Sequence, residues 1–147
     1  MFHRLATTIA LSLLVANAPV WAQSPRTDFM GDTSILHPKS YKPVYRTDKK
    51  SVDRGRTLFN DTRLSTNGRA CSSCHRDAES FGQGFSKPYP HPAMHSNARF
   101  GVDKLQLDEV IQVCMQGPMK NVPLEWGSSE QIDMTNYLLK VQASGKM

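Results

Sequence analysis

Apolar side chains recur at helical spacing in three stretches of this chain, all beyond residue 50. In the first, residues 51–60, Val52, Leu58 and Phe59 gather near one face, and Ser51 or Asp53 can cap the helix start. In the second, residues 105–115, Leu107, Val110, Ile111 and Cys114 fall at i, i+3, i+4 and i+7 and form one stripe. Gly117-Pro118 stops that helix. In the third, Ser128 followed by Gln131 at the third helical position predicts a capping box. Ile132, Met134, Tyr137, Leu138 and Val141 supply its apolar side. Strand-type alternation and internal repeats are absent, so the expected class is all-α. Gly55 lies inside the first helix at a cost of about 1 kcal/mol relative to alanine. Close approach of another helix would explain it.

The segments between the helices are polar or rich in turn formers. Residues 61–70 read as a loop with a turn at Asn67-Gly68. Phe81-Gly82-Gln83-Gly84-Phe85, then Pro88, Pro90 and Pro92, predict irregular backbone. Residues 23–50 hold Pro25, Pro38 and Pro43 and read as an extended N-terminal arm, with Met30 and His37 in surface roles. Before it, Arg4, the apolar run Leu5 to Ala16 and the Val20-Trp21-Ala22 end read as a secretory signal peptide over residues 1–22, cut before Gln23. The run is too short to be a membrane span, and no later stretch is apolar enough to be one. Residues 51–147 then form one domain, expected in a bacterial periplasm.

The formal net charge is +5, of which Arg4 supplies one. The basic residues are scattered and form no nucleic-acid motif. A mildly basic surface suits an acidic protein partner.

The candidate chemistry lies in Cys71-Ser72-Ser73-Cys74-His75. Cys-x-x-Cys-His is the attachment pattern of a c-type haem: two thiols form thioethers with the porphyrin vinyls, and the histidine ligates iron. A zinc site would need a second cysteine pair, and a thioredoxin-like motif would need a βαβ context; neither is present. One covalent haem c is therefore expected, held by Cys71 and Cys74 with His75 as proximal ligand. Arg76, Lys87 and Arg99 are candidate propionate partners.

Cys114 is the leftover third cysteine, and it lies on the apolar stripe. It reads as the distal iron ligand or as an inert core thiol. Met119, in the loop after Pro118, is the alternative ligand. Met115 is turned about 100° away from Cys114 around the helix. Met134 reads as core. His91 and His95 are further candidates, more simply read as surface groups.

A glycine-bearing helix with an aromatic, then Cys-x-x-Cys-His, then a last helix with an aromatic, resembles a class I cytochrome c. Gly55, Phe59 and Tyr137 stand where that family crosses its first and last helices. The resemblance implies three to four helices around one haem. Tyr89-Pro90, Leu105 to Cys114, Pro123-Leu124-Glu125-Trp126, Ser129-Glu130 and Thr135-Asn136-Tyr137-Leu138 are similar to a haem domain of SoxA, the sulfur-oxidation cytochrome subunit. That resemblance implies that Cys114 is the distal ligand. SoxA's catalytic domain carries an arginine four residues before its ligand cysteine; Val110 stands there in this chain, which implies electron transfer rather than catalysis.

The expected function is a periplasmic monohaem cytochrome, not itself an enzyme. It would exchange single electrons with a redox protein, such as a second cytochrome subunit, through a low-potential His/Cys haem. The alternatives are a haem that binds or senses NO or CO, and a non-catalytic subunit of a sulfur-oxidation complex.

Overall fold

Helix α1, Lys49–Phe59, begins two residues before the expected start because Asp48 caps it. The Asp48 carboxylate accepts from the Ser51 backbone N–H at 3.0 Å. Neither Ser51 nor Asp53 is the cap; Ser51 instead turns inward and is buried. In this computed structural model, residues 35–42, 45–46, 48–82, 84–93 and 100–145 are described. The expected signal segment and its cleavage point, and Met30, Met94, His95 and Arg99, lie outside the described residues.

Helix α2 spans Leu107–Gln116 and α3 spans Ser129–Ala143. Leu105, expected in the second helix, instead belongs to a two-residue strand β2, Lys104–Leu105. It pairs antiparallel with β1, His91–Pro92, in the register His91–Leu105. This short ladder is the one departure from an all-α architecture among the described residues. Ser128 caps α3, its hydroxyl accepting from Gln131 N at 3.2 Å. The reciprocal half of the expected capping box is absent. Gln131 Oε1 accepts from the Tyr41 hydroxyl at 2.7 Å, and Ser128 N–H donates to Glu125 O.

Helices α1 and α3 cross at Gly55. A Cβ there would lie 2.7 Å from Tyr137 Cβ and would collide with the Asp133 carbonyl. The missing side chain is what lets the two backbones meet. Beside it the Phe59 and Tyr137 rings pack edge to face, 5.3 Å between centroids. A polar latch closes the same crossing. Ser51 Oγ donates to Asp133 Oδ1 at 2.5 Å and accepts from Asn136 Nδ2 at 2.7 Å. Arg54 donates to both Asp133 oxygens, at 2.5 and 2.9 Å.

The main core holds Phe59, Leu64, Phe85, Leu107, Ile111, Met115, Met119, Leu124, Met134, Leu138 and Val141. The expected stripe of α2 is divided. Leu107 and Ile111 enter this core, whereas Val110 packs, with Val113 from outside the stripe, on a second cluster of Ile35, Ala93, Phe100 and Leu105.

That second cluster ties down the N-terminal arm, where Ile35 is fully buried. The expected surface role of His37 does not hold. Its backbone N–H donates to Glu109 Oε1 at 3.1 Å, and its Nε2 lies 2.6 Å from Asp108 Oδ2. The ring also packs against Tyr41 and Trp126. Burial pushes the Asp108 carboxyl up, and the His37 hydrogen bond offsets part of that rise. The described part of the arm therefore runs over α2 and α3.

Candidate haem site

Cys71–Ser73 forms one 3₁₀ turn. Ser73 Oγ accepts from Ala70 N–H at 3.0 Å, and the N–H groups of Cys74 and His75 both donate to Cys71 O, at 3.2 and 3.0 Å. These bonds curl the motif so that two thiols and one imidazole leave a single tight turn. Cys71 is half-buried against the main core, and Cys74 is exposed.

A second turn, Arg76–Ala78, follows at once. Asp77, Ala78 and Ser80 have φ values of 53°, 57° and 61°, in the left-handed region. Each such non-glycine residue costs on the order of 1–2 kcal/mol. The bend returns the Ser80 carbonyl to His75 Nδ1 at 3.3 Å. A carbonyl oxygen only accepts, so Nδ1 carries the proton and Nε2 is left with the lone pair that a metal needs. Burial pulls the His75 pKa down, which favours the neutral ligating form. One face of the imidazole lies flat on Phe81, with centroids 4.2 Å apart and planes 14° apart. Phe81 in turn stacks on Phe85 at 4.1 Å.

Cys114, near the end of α2, is half-buried. Burial, and to a lesser degree the charge of Cys74, pushes its thiol up to about 11. Burial and then Cys114 push Cys71 up to about 12, and Tyr89 is raised to about 12 by the same two causes. The thiol on α2 is therefore close enough to the haem-motif thiols and to Tyr89 to act on them electrostatically. Without a metal Cys71 and Cys114 are protonated at neutral pH; iron coordination at Cys114 would expel its proton.

The other candidate ligands have surroundings of their own. Met119 is 3 % exposed and packs in the main core, its N–H donating to Cys114 O at 3.0 Å. Met134 is fully buried in that core, as expected. His91 stacks on Tyr89 and points Nε2 at Lys87 O, 2.8 Å away. Arg76 and Lys87 are exposed. Sequence reasoning missed Ser80 and Phe81. A carbonyl acceptor leaves no residue-type signal, although an aromatic six positions after the motif histidine was there to be noticed.

The family model of the SoxA/TsdA cytochrome c domain matches residues 54–147. This chain belongs to that family. No curated protein and no solved structure matches it. As a SoxA/TsdA cytochrome c domain the chain has a class I-like cytochrome c fold, binds one covalent haem c and has an electron-transfer role. The donors described above fit that group: two thiols leaving one turn, and an imidazole whose tautomer is fixed with Nε2 available. Among the described residues no helix is long and apolar enough to cross a membrane.

Proposed function

We propose that this SoxA/TsdA-family chain is an exported, periplasmic monohaem cytochrome that relays single electrons to or from a redox protein. Cys71 and Cys74 form the thioethers, His75 is the proximal ligand and Cys114 the distal one. The observation that carries this reading is a Cys-x-x-Cys-His motif held on one turn, with the His75 proton placed on Nδ1 by the Ser80 carbonyl, inside the stretch that matches the family. When bound, the haem supplies a one-electron iron couple. The Ser80 carbonyl holds the His75 proton at Nδ1, and a Cys114 thiolate contributes negative charge that favours the ferric state. The potential is accordingly low, which suits a relay within a sulfur-compound-oxidising complex, with a second cytochrome subunit as partner. Val110 stands where SoxA's catalytic domain has its arginine, so this chain carries electrons and leaves catalysis to the partner.

The test is the absorption and EPR spectrum of the oxidised protein beside those of Cys114→Ala and Met119→Ala. Thiolate ligation predicts a changed ligand field in Cys114→Ala alone. A change in Met119→Ala alone would replace Cys114 by Met119 as the sixth ligand.

A second reading follows from thiolate ligation itself: reduction of the iron would weaken its bond to an anionic thiolate and open the iron to NO or CO. Spectral titration of the reduced protein with CO decides it, and an unchanged spectrum removes it.

A further inference from the structure

The proximal side contains more than its ligand. His75 is attached to the turn through Cβ, and its ring is free to rotate about the Cβ–Cγ bond unless something holds it. Two groups do. The Ser80 carbonyl accepts from Nδ1 at 3.3 Å, which is long for an N–H···O bond and a weak restraint by itself. The second is Phe81, whose ring covers one imidazole face at 4.2 Å with only 14° between the planes. A flat stack of this kind resists rotation of either ring, because turning the imidazole drives its edge into the phenyl face. Phe81 is itself held. Phe85, 6 % exposed, stacks on its other face at 4.1 Å and 15°, and Phe59 lies at 6.5 Å with a tilt of 49°. The order His75–Phe81–Phe85 is thus a three-layer stack anchored in the main core. The left-handed residues Asp77, Ala78 and Ser80 turn the chain into the position from which the next residue, Phe81, reaches back over the histidine. Strain of this kind persists only where the surrounding contacts impose it.

We propose that Phe81 is a positioning residue for the proximal ligand: its ring, backed by Phe85, locks the orientation of the His75 imidazole and keeps Nδ1 aligned on the Ser80 carbonyl. The orientation of the ligand plane sets how its orbitals overlap with iron, and the Nδ1–H bond sets how basic the ligating nitrogen is. Removing the stack therefore alters the haem's electronic state without removing any ligand. The inference rests on His75 being the proximal ligand.

The experiment compares the holoprotein with Phe81→Leu, Phe81→Tyr and His75→Ala. The expected result for Phe81→Leu is a broadened or split low-spin ferric EPR signal and a displaced reduction potential, with both thioethers intact. Phe81→Tyr keeps the stack and restores the wild-type signal and potential. Identical spectra and potentials in Phe81→Leu and wild type would overturn the proposal. If His75→Ala also left the spectrum unchanged, the proximal assignment itself would fail, so the two failures are separable. A readout that needs no variant is proton NMR of the reduced wild-type protein. The stack predicts cross-relaxation between the His75 and Phe81 ring protons, and its absence would equally overturn the proposal, even if Phe81→Leu did not mature.

Discussion

Gly55 is the residue on which the crossing of α1 and α3 depends, because a methyl group there meets backbone rather than a movable side chain. Gly55→Ala gains helix propensity of about 1 kcal/mol. It must also force the helices apart, and overpacking of this kind costs typically about 1–3 kcal/mol and sometimes more. The carbonyl of Asp133 cannot rotate away, so the steric cost prevails and the melting temperature falls. A variant that melts at or above the wild type would contradict the described crossing. Asp61 offers a pH test. Its hydrogen bond from Arg63, above all, holds its carboxyl below the usual carboxylate range. The folded pKa is depressed, so the pair's contribution is complete above the unfolded value of 3.8 and is lost as pH falls through the folded one. Arg63 is largely exposed, so the effect is small. Asp61→Asn should lower the urea midpoint slightly at about pH 6 and leave it unchanged at about pH 2. Equal losses at both pH values would assign the effect to the lost turn cap.

Among the elements, the arm and the latch behave differently from the helices they join. His37 is what pairs the nearly inaccessible Asp108 carboxylate. His37→Ala removes the partner of Asp108 Oδ2 and leaves Oδ1 its bond from the Glu109 N–H, and an unsatisfied buried polar group costs about 1–3 kcal/mol. The expected outcome is a lower unfolding midpoint together with faster proteolysis within residues 35–42. An arm as resistant as in the wild type would show that Ile35 and Tyr41 hold it without His37. The three helices were legible because their apolar residues recur with the helical period, and the crossing was legible from Gly55, Phe59 and Tyr137. The latch was not. Asp133 and Asn136 are polar residues on the buried face of α3, and what makes their burial tolerable is long-range: the side chains of Ser51 and Arg54 and the backbone N–H of Arg46. The arm was hidden for a related reason: one isoleucine among prolines and charges carries no periodicity, although it is fully buried. At the candidate site, the Cys71, Cys74 and His75 motif was legible as residue types, whereas the Ser80 carbonyl and the Phe81 ring stacked on the imidazole depend on a left-handed bend that no propensity indicates.

For the molecule as a whole, surface charge governs how it meets a partner. The chain carries a net +5, and two haem propionates would offset part of it. Along the chain on either side of the exposed Cys74, the exposed bases Arg69 and Arg76 are interleaved with the exposed acids Asp77 and Glu79. A focused single-sign cleft accelerates encounter by roughly 10–10³-fold, but a mixed rim like this one belongs at or below the low end of that range. The sign can be read with small redox reagents. Oxidation of the reduced protein by anionic ferricyanide should slow as salt is raised from about 10 mM to about 0.5 M. Oxidation by cationic hexaammineruthenium(III) should quicken, because screening shortens the Debye length from about 30 Å toward a few ångströms. Arg76→Glu, which adds a third acid beside Asp77 and Glu79, should weaken or invert both trends while leaving the absorption spectrum unchanged. If neither reagent responds to salt, net charge does not steer encounter at this edge, and a natural partner must be recognised by shape and apolar contact instead.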